Sequence, residues 1–305
     1  MKPDADAPSA FARRLDSGRF AITAELVPPV SSDPADVLAR AMPLKGLATA
    51  VNVTDGAGAR VHLCALAAAQ ILLAGGIEPI LQMTCRDRNR IALQSDLLGA
   101  LALGVRNVLI LSGDDPKTGD QPAAKPVYDL DSKGLLALAQ RLASERRLPT
   151  GTAVGGPTQL FLGAAAVPID PPAGWIPADL TAKAEAGARF IQTQFCMDAA
   201  VVRRWIGRVH ELGVTRRLKV LVGVAPIASA RAARWMRARL FGAIIPDKLI
   251  ERLDQAGDPR REGIRICVEI LHELAEIPGI AGAHIMAPRN PSAIPEVIAA
   301  FAAAR

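Results

Sequence analysis

Three groupings in this chain have residue types and spacing suited to chemistry: Glu25 inside the apolar segment ITAELV, the corner LSGDDP at 111–116, and the pair Gln192 and Gln194 in RFIQTQF. A carboxylate set among apolar residues is costly to ionise unless partnered, and burial raises its pKa toward values useful to a general acid. Glu25 is therefore a candidate acid; the competing reading is an ion pair with Arg86 or Arg88. LSGDDP follows the run VRNVLIL without a linker, so Ser112, Gly113, Asp114 and Asp115 leave the end of a buried strand together. Two carboxylates beside a glycine suit a hydrogen-bond-donating heterocycle, and they suit a capped turn with solvated aspartates equally well. Gln192 and Gln194 share one face of a strand. They could read an amide-like edge of a ligand or link neighbouring strand ends.

Other polar residues carry weaker signals. Lys183 falls on a helix, where lysine is normally solvated. His284 is a candidate base or a satisfied core residue, and His62, His210 and His272 read as helix-surface residues. No Ser/His/Asp or Cys/His arrangement and no Walker loop points to hydrolysis or phosphoryl transfer. The four cysteines (Cys64, Cys85, Cys196, Cys267) show no CxxC spacing, which argues for reduced thiols and against zinc. Net charge is +6 and the pI about 9.4, but the basic residues are dispersed and aromatics make up only 4%. Nucleic acid is therefore not the expected partner. The densest basic stretch, RAARWMRAR, puts Arg231, Arg234 and Arg237 on one helical face, expected to be solvated.

The elements that must position these residues alternate along the whole chain. Strands are expected over 21–27, 47–54, 77–84, 105–112, 159–166, 188–195, 218–225 and 281–287. Helices are expected from Pro34 with Asp33 as N-cap, then over 61–73, 89–103, 133–145, 177–186, 199–211, 229–241, 247–255, 258–276 and 292–303. Eight strands alternating with helices in 305 residues is the arithmetic of a single (β/α)8 TIM barrel spanning 1–305. A doubly wound sheet is the alternative, disfavoured because no GxGxxG follows the first strand. The barrel sends its chemistry to the C-terminal strand ends: Glu25; Thr54 and Asp55; Gln82, Thr84, Arg86 and Arg88; Asp114; Gln192 and Gln194; His284, Arg289 and Asn290. No apolar run approaches a membrane span and the N-terminal segment lacks a signal-peptide core, so a cytoplasmic location is expected. The apolar segments 61–75 and 91–103 pack either against the barrel alone or against a second copy in a homo-oligomer.

Taken in order, AELVPP, VTDGAGAR, ILQMTCRDRNR, LILSGDDP, KPVYDLDS, AGARFIQTQF and VLVGVAPI make the chain resemble the methylenetetrahydrofolate reductase family, in its catalytic-barrel-only form, over nearly its whole length. The resemblance implies a flavoprotein oxidoreductase of one-carbon metabolism and methionine biosynthesis. It would bind FAD and pass a hydride from NAD(P)H to a tetrahydrofolate substrate, turning 5,10-methylenetetrahydrofolate into 5-methyltetrahydrofolate. By position, Glu25 matches the general acid, Asp114 and Gln194 match folate-binding residues, and Thr54, Gln82, Ser112, Gly113, Asp114 and Lys183 match flavin-site positions. No metal is implied. The chain departs from the family at Gln82, within an HLT motif in many members, at Ser112, where Arg precedes Gly-Asp, and at Ala230, where an aromatic follows the seventh strand. Arg60, Arg86 and Arg88 are the cations placed to compensate. No ribose-reading motif chooses NADH or NADPH.

Three other functions compete. One is a non-catalytic folate- or flavin-binding partner of a methyltransferase, against which the retained Glu25 argues. Another is a folate reductase that works without flavin. The third, an aldolase-like barrel enzyme, would want a strand-end lysine for a Schiff base, and the expected strand ends offer none.

Overall fold

A computed structural model describes residues 7–304; the outermost parts of the expected 1–305 span, residues 1–6 and 305, lie outside it. Eight parallel strands close into a barrel in sequence order. They are β1 (Ala21–Leu26), β2 (Ala50–Val53), β3 (Pro79–Thr84), β4 (Asn107–Leu111), β5 (Phe161–Ala166), β6 (Phe190–Phe195), β7 (Lys219–Val224) and β8 (Ile280–Ile285). The helices are α1 (Ala10–Asp16), α2 (Pro34–Ala41), α3 (Ala65–Ala74), α4 (Arg90–Ala102), α5 (Ser132–Glu145) and α6 (Ala178–Glu185). They continue with α7 (Ala199–Glu211), α8 (Ala230–Arg239), α9 (Asp247–Gln255), α10 (Pro259–Ala275) and α11 (Ala293–Ala303). This is the expected (β/α)8 TIM barrel.

Side chains alternate across each strand. One set packs outward beneath the helices, where Leu72, Leu93, Leu135, Trp205 and Leu271 are fully buried. The other set fills the barrel. Its lower layer is apolar, built on Ala21, Ala50, Ile80, Leu109, Phe190 and Leu221. Helix α1, which the sequence reading did not anticipate, closes this end. Phe11 meets Phe190 edge-on at 5.1 Å and Phe161 edge-on at 5.7 Å. Ser9 caps α1 by accepting from the Ala12 amide, and Asp33 caps α2 as expected, accepting from Ala35.

Three boundaries differ from expectation in ways that matter to the mouth. β2 and β4 end at Val53 and Leu111, so Thr54 and Ser112 are the first loop residues. The third helix starts at Ala65 because the preceding segment is held extended: the Val61 amide donates to the Asp120 carboxylate at 3.1 Å. His62 consequently lies in a loop, not on a helix surface as the sequence suggested. Arg231, Arg234 and Arg237 are exposed on α8 as expected; Arg234 pairs with Asp254 and Arg237 with Asp247 of α9. Among the described residues no helix is long and apolar enough to cross a membrane.

Candidate active site

Above the apolar layer the barrel interior turns polar. Thr23, Asn52, Gln192 and His284 are each 3% exposed or less. Buried polar groups must be hydrogen-bonded to be tolerated, and these four bond one another. Asn52 Nδ2 donates to Gln192 Oε1, while Gln192 Nε2 donates to Asn52 Oδ1 and to Thr23 Oγ1, both at 3.0 Å. Thr23 Oγ1 also meets His284 Nδ1 at 3.0 Å. Of the two sequence readings of Gln192, the structural link is the one realised.

Glu25 stands one step higher on the same face of β1, with His284 Nε2 at 4.0 Å from its Oε2. Burial pushes its carboxyl up to about 7, although a fifth of the side chain (21%) still meets solvent. Burial also pushes His284 down to about 3, so its imidazole is neutral at ordinary pH. The ion pair considered for Glu25 does not form. Arg86 pairs with Asp87, and Arg88 spans Asp55 and Asp96. A protonated carboxyl at the rim of a barrel, beside a neutral imidazole, can deliver a proton near pH 7.

The ends of β2, β3 and β4 form the second half of the mouth, sewn together by Arg86. Its guanidinium, almost fully buried, donates to Gly56 O and reaches Asp114 O. Asp114 Oδ2 accepts from the Gly58 amide at 2.9 Å, which ties the β4 loop to the β2 loop. Gly113 sits between them with φ +93°, and a Cβ there would come within 2.9 Å of Arg86 Cβ and 3.1 Å of Thr84 Cβ. Only glycine combines that backbone with that approach. Asp55 accepts from Thr84 N and Oγ1 and is paired with Arg88 at 2.7 Å. Its pKa is lowered because the Arg88 and Thr84 bonds outweigh burial. Asp115 has a local task, capping a short turn by accepting from the Lys117 amide.

The expected site residues thus gather at one end of the barrel, each in a distinct state. Thr54 is 3% exposed, and among the described residues its Oγ1 has no partner. Gln82 is nearly buried on the inward side of β3, and its amide bonds no described residue. Ser112 and Asp114 are exposed on the β4 loop. Lys183 is only 12% exposed, not solvated as a helical lysine usually is; its Nζ donates to Ala165 O at the end of β5 and to Asp179. Gln194 Oε1 accepts from the Phe195 amide at 3.0 Å. Since only an oxygen can accept from a backbone N–H, the NH2 end of Gln194 is left to donate. A register shift between β6 and β7 at this point turns the residue.

Two features of the mouth went unnoticed in the sequence. One is that register shift, accommodated by Gly223, whose Cβ would lie 2.3 Å from Thr193 O. The other is a cavity of about 400 Å³ between the loops after β7 and β8, lined by Ser229, Arg231, Trp235, Met236 and Arg289 among others. Arg289 lies over the Trp235 ring at 5.2 Å. Ala230 itself is buried at the start of α8, so Trp235, farther along that helix, is the aromatic this corner presents. Among the described residues no cluster of three or more His, Cys, Asp or Glu could hold a metal ion.

The family model for methylenetetrahydrofolate reductase matches residues 10–302, from the first helix to the last. The chain belongs to the methylenetetrahydrofolate reductase family. A Caenorhabditis elegans protein described as a probable methylenetetrahydrofolate reductase (NADPH) is 24% identical over 239 residues. That match covers 76% of this chain and 33% of the relative, so the chain spans about a third of that protein's length. Among solved structures, an uncharacterized protein from Clostridium thermocellum that binds two copies of 5-methyl-5,6,7,8-tetrahydrofolic acid superposes with a TM-score of 0.63. It is 13% identical, with 95% of this chain and 96% of that one covered. EDTA monooxygenase from Chelativorans sp. BNC1 gives 0.57 at 12% identity, covering 94% and 93%. At such identities the structures share the fold.

Proposed function

We propose that this protein reduces 5,10-methylenetetrahydrofolate to 5-methyltetrahydrofolate at the expense of NAD(P)H. The observation that carries the reading is Glu25, a carboxyl raised to about 7 at the C-terminal mouth of a barrel of this family. Opening the methylene bridge requires a proton on the departing nitrogen. Hydride then adds to the exposed iminium carbon, and the nicotinamide leaves oxidised. Glu25 supplies the proton. Asp114, with one oxygen held by Gly58, offers its other oxygen to the N–H edge of the pterin. Gln194 offers its NH2 to a carbonyl of folate or nicotinamide. Trp235, Arg231 and Arg289 provide the stacking surface and positive charge that an aryl-carboxylate tail needs. The C. elegans relative is described as NADPH-dependent and the C. thermocellum protein binds a methylated folate, which agrees with this substrate class.

FAD, when bound, supplies two-electron transfer between the nicotinamide and the folate. Its ring end fits what the mouth leaves uncommitted: the orphaned Thr54 Oγ1, the Gln82 amide, Gly113, Asp114, Ser112 and the remaining N–H of Lys183. The pyrophosphate end is less well served, because Arg86 and Arg88 are spent on Asp87, Asp55 and Asp96, which leaves exposed Arg60. Each missing charge-assisted bond is worth roughly 1.5–3 kcal/mol. The flavin is therefore expected to be held loosely, with purified protein pale and recovering yellow colour and turnover on adding FAD. The same engaged arginines favour the second reading, direct hydride transfer without flavin. Colourless protein that forms 5-methyltetrahydrofolate at full rate, unchanged by FAD, establishes it, and Glu25 and Asp114 keep their folate roles. Protein that binds folate but never oxidises NAD(P)H in its presence would sink both in favour of a binding partner.

Asp114 and Asp115 separate chemistry from local structure. Asp114→Asn keeps an oxygen for Gly58 but removes the charge facing the pterin. It is expected to raise the KM for folate and lower kcat/KM by about 10–100-fold. Asp115→Asn retains a capping oxygen for Lys117 and is expected to stay within about twofold. Steady-state kinetics on both variants checks the assignment; the opposite ranking would overturn it.

A further inference from the structure

Between β4 and α5, residues 112–131 form a long loop whose one regular piece is the short helical turn Pro116–Thr118. A loop of this length in a compact domain usually serves a function. Its outgoing half is fastened to the loop after β2: Asp114 Oδ2 accepts from the Gly58 amide at 2.9 Å, and Asp120 accepts from the Val61 amide at 3.1 Å. Residues 121–126 are exposed. The returning half comes back over the corner at Gly113. There the Val127 amide donates to Arg86 O at 2.7 Å, and the Tyr128 hydroxyl reaches Gly113 O at 3.3 Å and Asp114 O at 3.5 Å. These two carbonyls flank the Asp114 side chain, so Tyr128 grips the backbone on both sides of it. Tyr128 does this at φ +41°, a left-handed backbone that a bulky side chain adopts only where its surroundings impose it. What imposes it lies one residue on. Asp129 accepts three bonds from Arg90 at the start of α4: from its backbone amide at 2.8 Å, from Nε at 2.9 Å and from Nη2 at 2.7 Å. The guanidinium holds the Asp129 carboxyl down at about 2, yet both side chains meet solvent, Arg90 at 58% and Asp129 at 29%.

We propose that Arg90 and Asp129 are positioning residues for the folate site: the pair pins Tyr128, Tyr128 pins the backbone around Asp114, and folate affinity weakens when the pair is broken or screened by salt. The proposal rests on Asp114 meeting the pterin. The other two arginines of the CRDRNR stretch are sheltered, Arg86 at 5% and Arg88 at 19% side-chain exposure, and are engaged by Asp87, Asp55 and Asp96. Salt screens exposed pairs far more than sheltered ones, so Arg90–Asp129 is the fastening of this loop that ionic strength can loosen. Neither residue touches ligand. In a loosened loop a fraction of the molecules presents Asp114 correctly, and the apparent dissociation constant rises by the inverse of that fraction. An exposed pair is a small lever, so the change is several-fold and not thousands-fold. Molecules that hold folate still react normally, so KM moves and kcat does not.

The test is a double-mutant cycle on the full chain, read as KM and kcat for 5,10-methylenetetrahydrofolate. Arg90→Ala is expected to raise KM about fivefold with kcat within about twofold, and Arg90→Lys, which keeps the charge, to recover most of the loss. Tyr128→Phe, which removes only the hydroxyl, is expected to raise KM by a similar factor. Because the two residues act in series, Arg90→Ala combined with Tyr128→Phe is expected to stay near about fivefold, whereas independent effects would multiply to about 25-fold. Raising KCl to about 0.5 M, where the Debye length is roughly 4 Å, is expected to raise the parent KM more steeply than that of Arg90→Ala, since screening of the ligand itself is common to both. Arg141→Ala, which breaks the exposed Arg141–Glu145 pair on α5, is the control and should leave both constants and the salt response unchanged. An unmoved KM in Arg90→Ala or Tyr128→Phe, multiplying effects in the double variant, or parallel salt curves would overturn the proposal. Failure of the underlying reading looks different: Asp114→Asn would then leave the folate KM at the parent value, whatever the Arg90 variants do.

Discussion

Replacing Glu25 with glutamine is expected to lower methylenetetrahydrofolate reduction by about 10²–10⁴-fold, the usual cost of losing a general acid. Barrel and cofactor binding should survive, because glutamine has nearly the same shape and the carboxyl forms no ion pair with an arginine that its loss would strand. NAD(P)H oxidation by an artificial electron acceptor should therefore persist, since that half-reaction needs no proton on folate. The pH dependence follows from the raised pKa. Glu25 is protonated below about pH 7 and ionised above it, so the parent rate is expected to fall as pH rises through 7. Stability has the same sign. In the unfolded chain the carboxyl titrates near 4.5, so between 4.5 and 7 the unfolded state releases its proton first and the folded state loses stability as pH rises. At pH 8 the glutamine variant, which buries no charge, is expected to melt at or above the parent temperature. Near-normal folate turnover in Glu25→Gln removes this residue from the mechanism.

The alternation of strand and helix was readable because each outward strand face is a run of apolar residues and each helix has polar punctuation. The strand-end position of Glu25, Thr54, Gln82, Asp114 and Gln194 follows from that alternation alone. What the residues do there does not. Arg86 and Arg88 looked like free cations beside a possible anion site; they are partnered by Asp87, Asp55 and Asp96, which lie in three different segments of chain. Lys183 looked solvated, but α6 leans on β5 closely enough to bring its Nζ to Ala165 O. Gln192 and Gln194 sit two apart on the same strand, and nothing local says that one is locked across the barrel to Asn52 while the other is turned by a register shift. Apart from Arg86 and Asp87, which are neighbours in sequence, these contacts join different elements, Asn52 and Gln192 lying 140 positions apart, and no local pattern encodes them. Helix α1 escaped for a related reason: at 7 residues it is too short to show a period, and only the barrel end it covers gives its two large apolar side chains a purpose.

Gly223→Ala is expected to cause a large stability loss and to carry the folate site with it. A Cβ at 223 would fall 2.3 Å from Thr193 O and 2.8 Å from Gln194 O, distances that real Cβ atoms do not adopt. Both obstacles are backbone carbonyls at the register shift, so no rotamer change relieves them. The glycine also donates its amide to Thr193 Oγ1 at 2.9 Å and accepts from the Cys196 amide at 2.9 Å, so moving it breaks the pairing on either side of Gln194. Overpacking of this kind costs about 3 kcal/mol, which in a chain of 305 residues corresponds to a fall in Tm of roughly 5 °C. Relief must come from β6, which would turn Gln194 away and leave its NH2 out of reach of the substrate. Folate KM is therefore expected to rise about tenfold even at temperatures where the variant is fully folded. Thermal unfolding and folate kinetics at about 20 °C, roughly 25 °C below the expected melting range of such domains, check the two effects separately. A variant that is destabilised but binds folate normally would detach Gln194 from the site and leave Gly223 with a purely structural role.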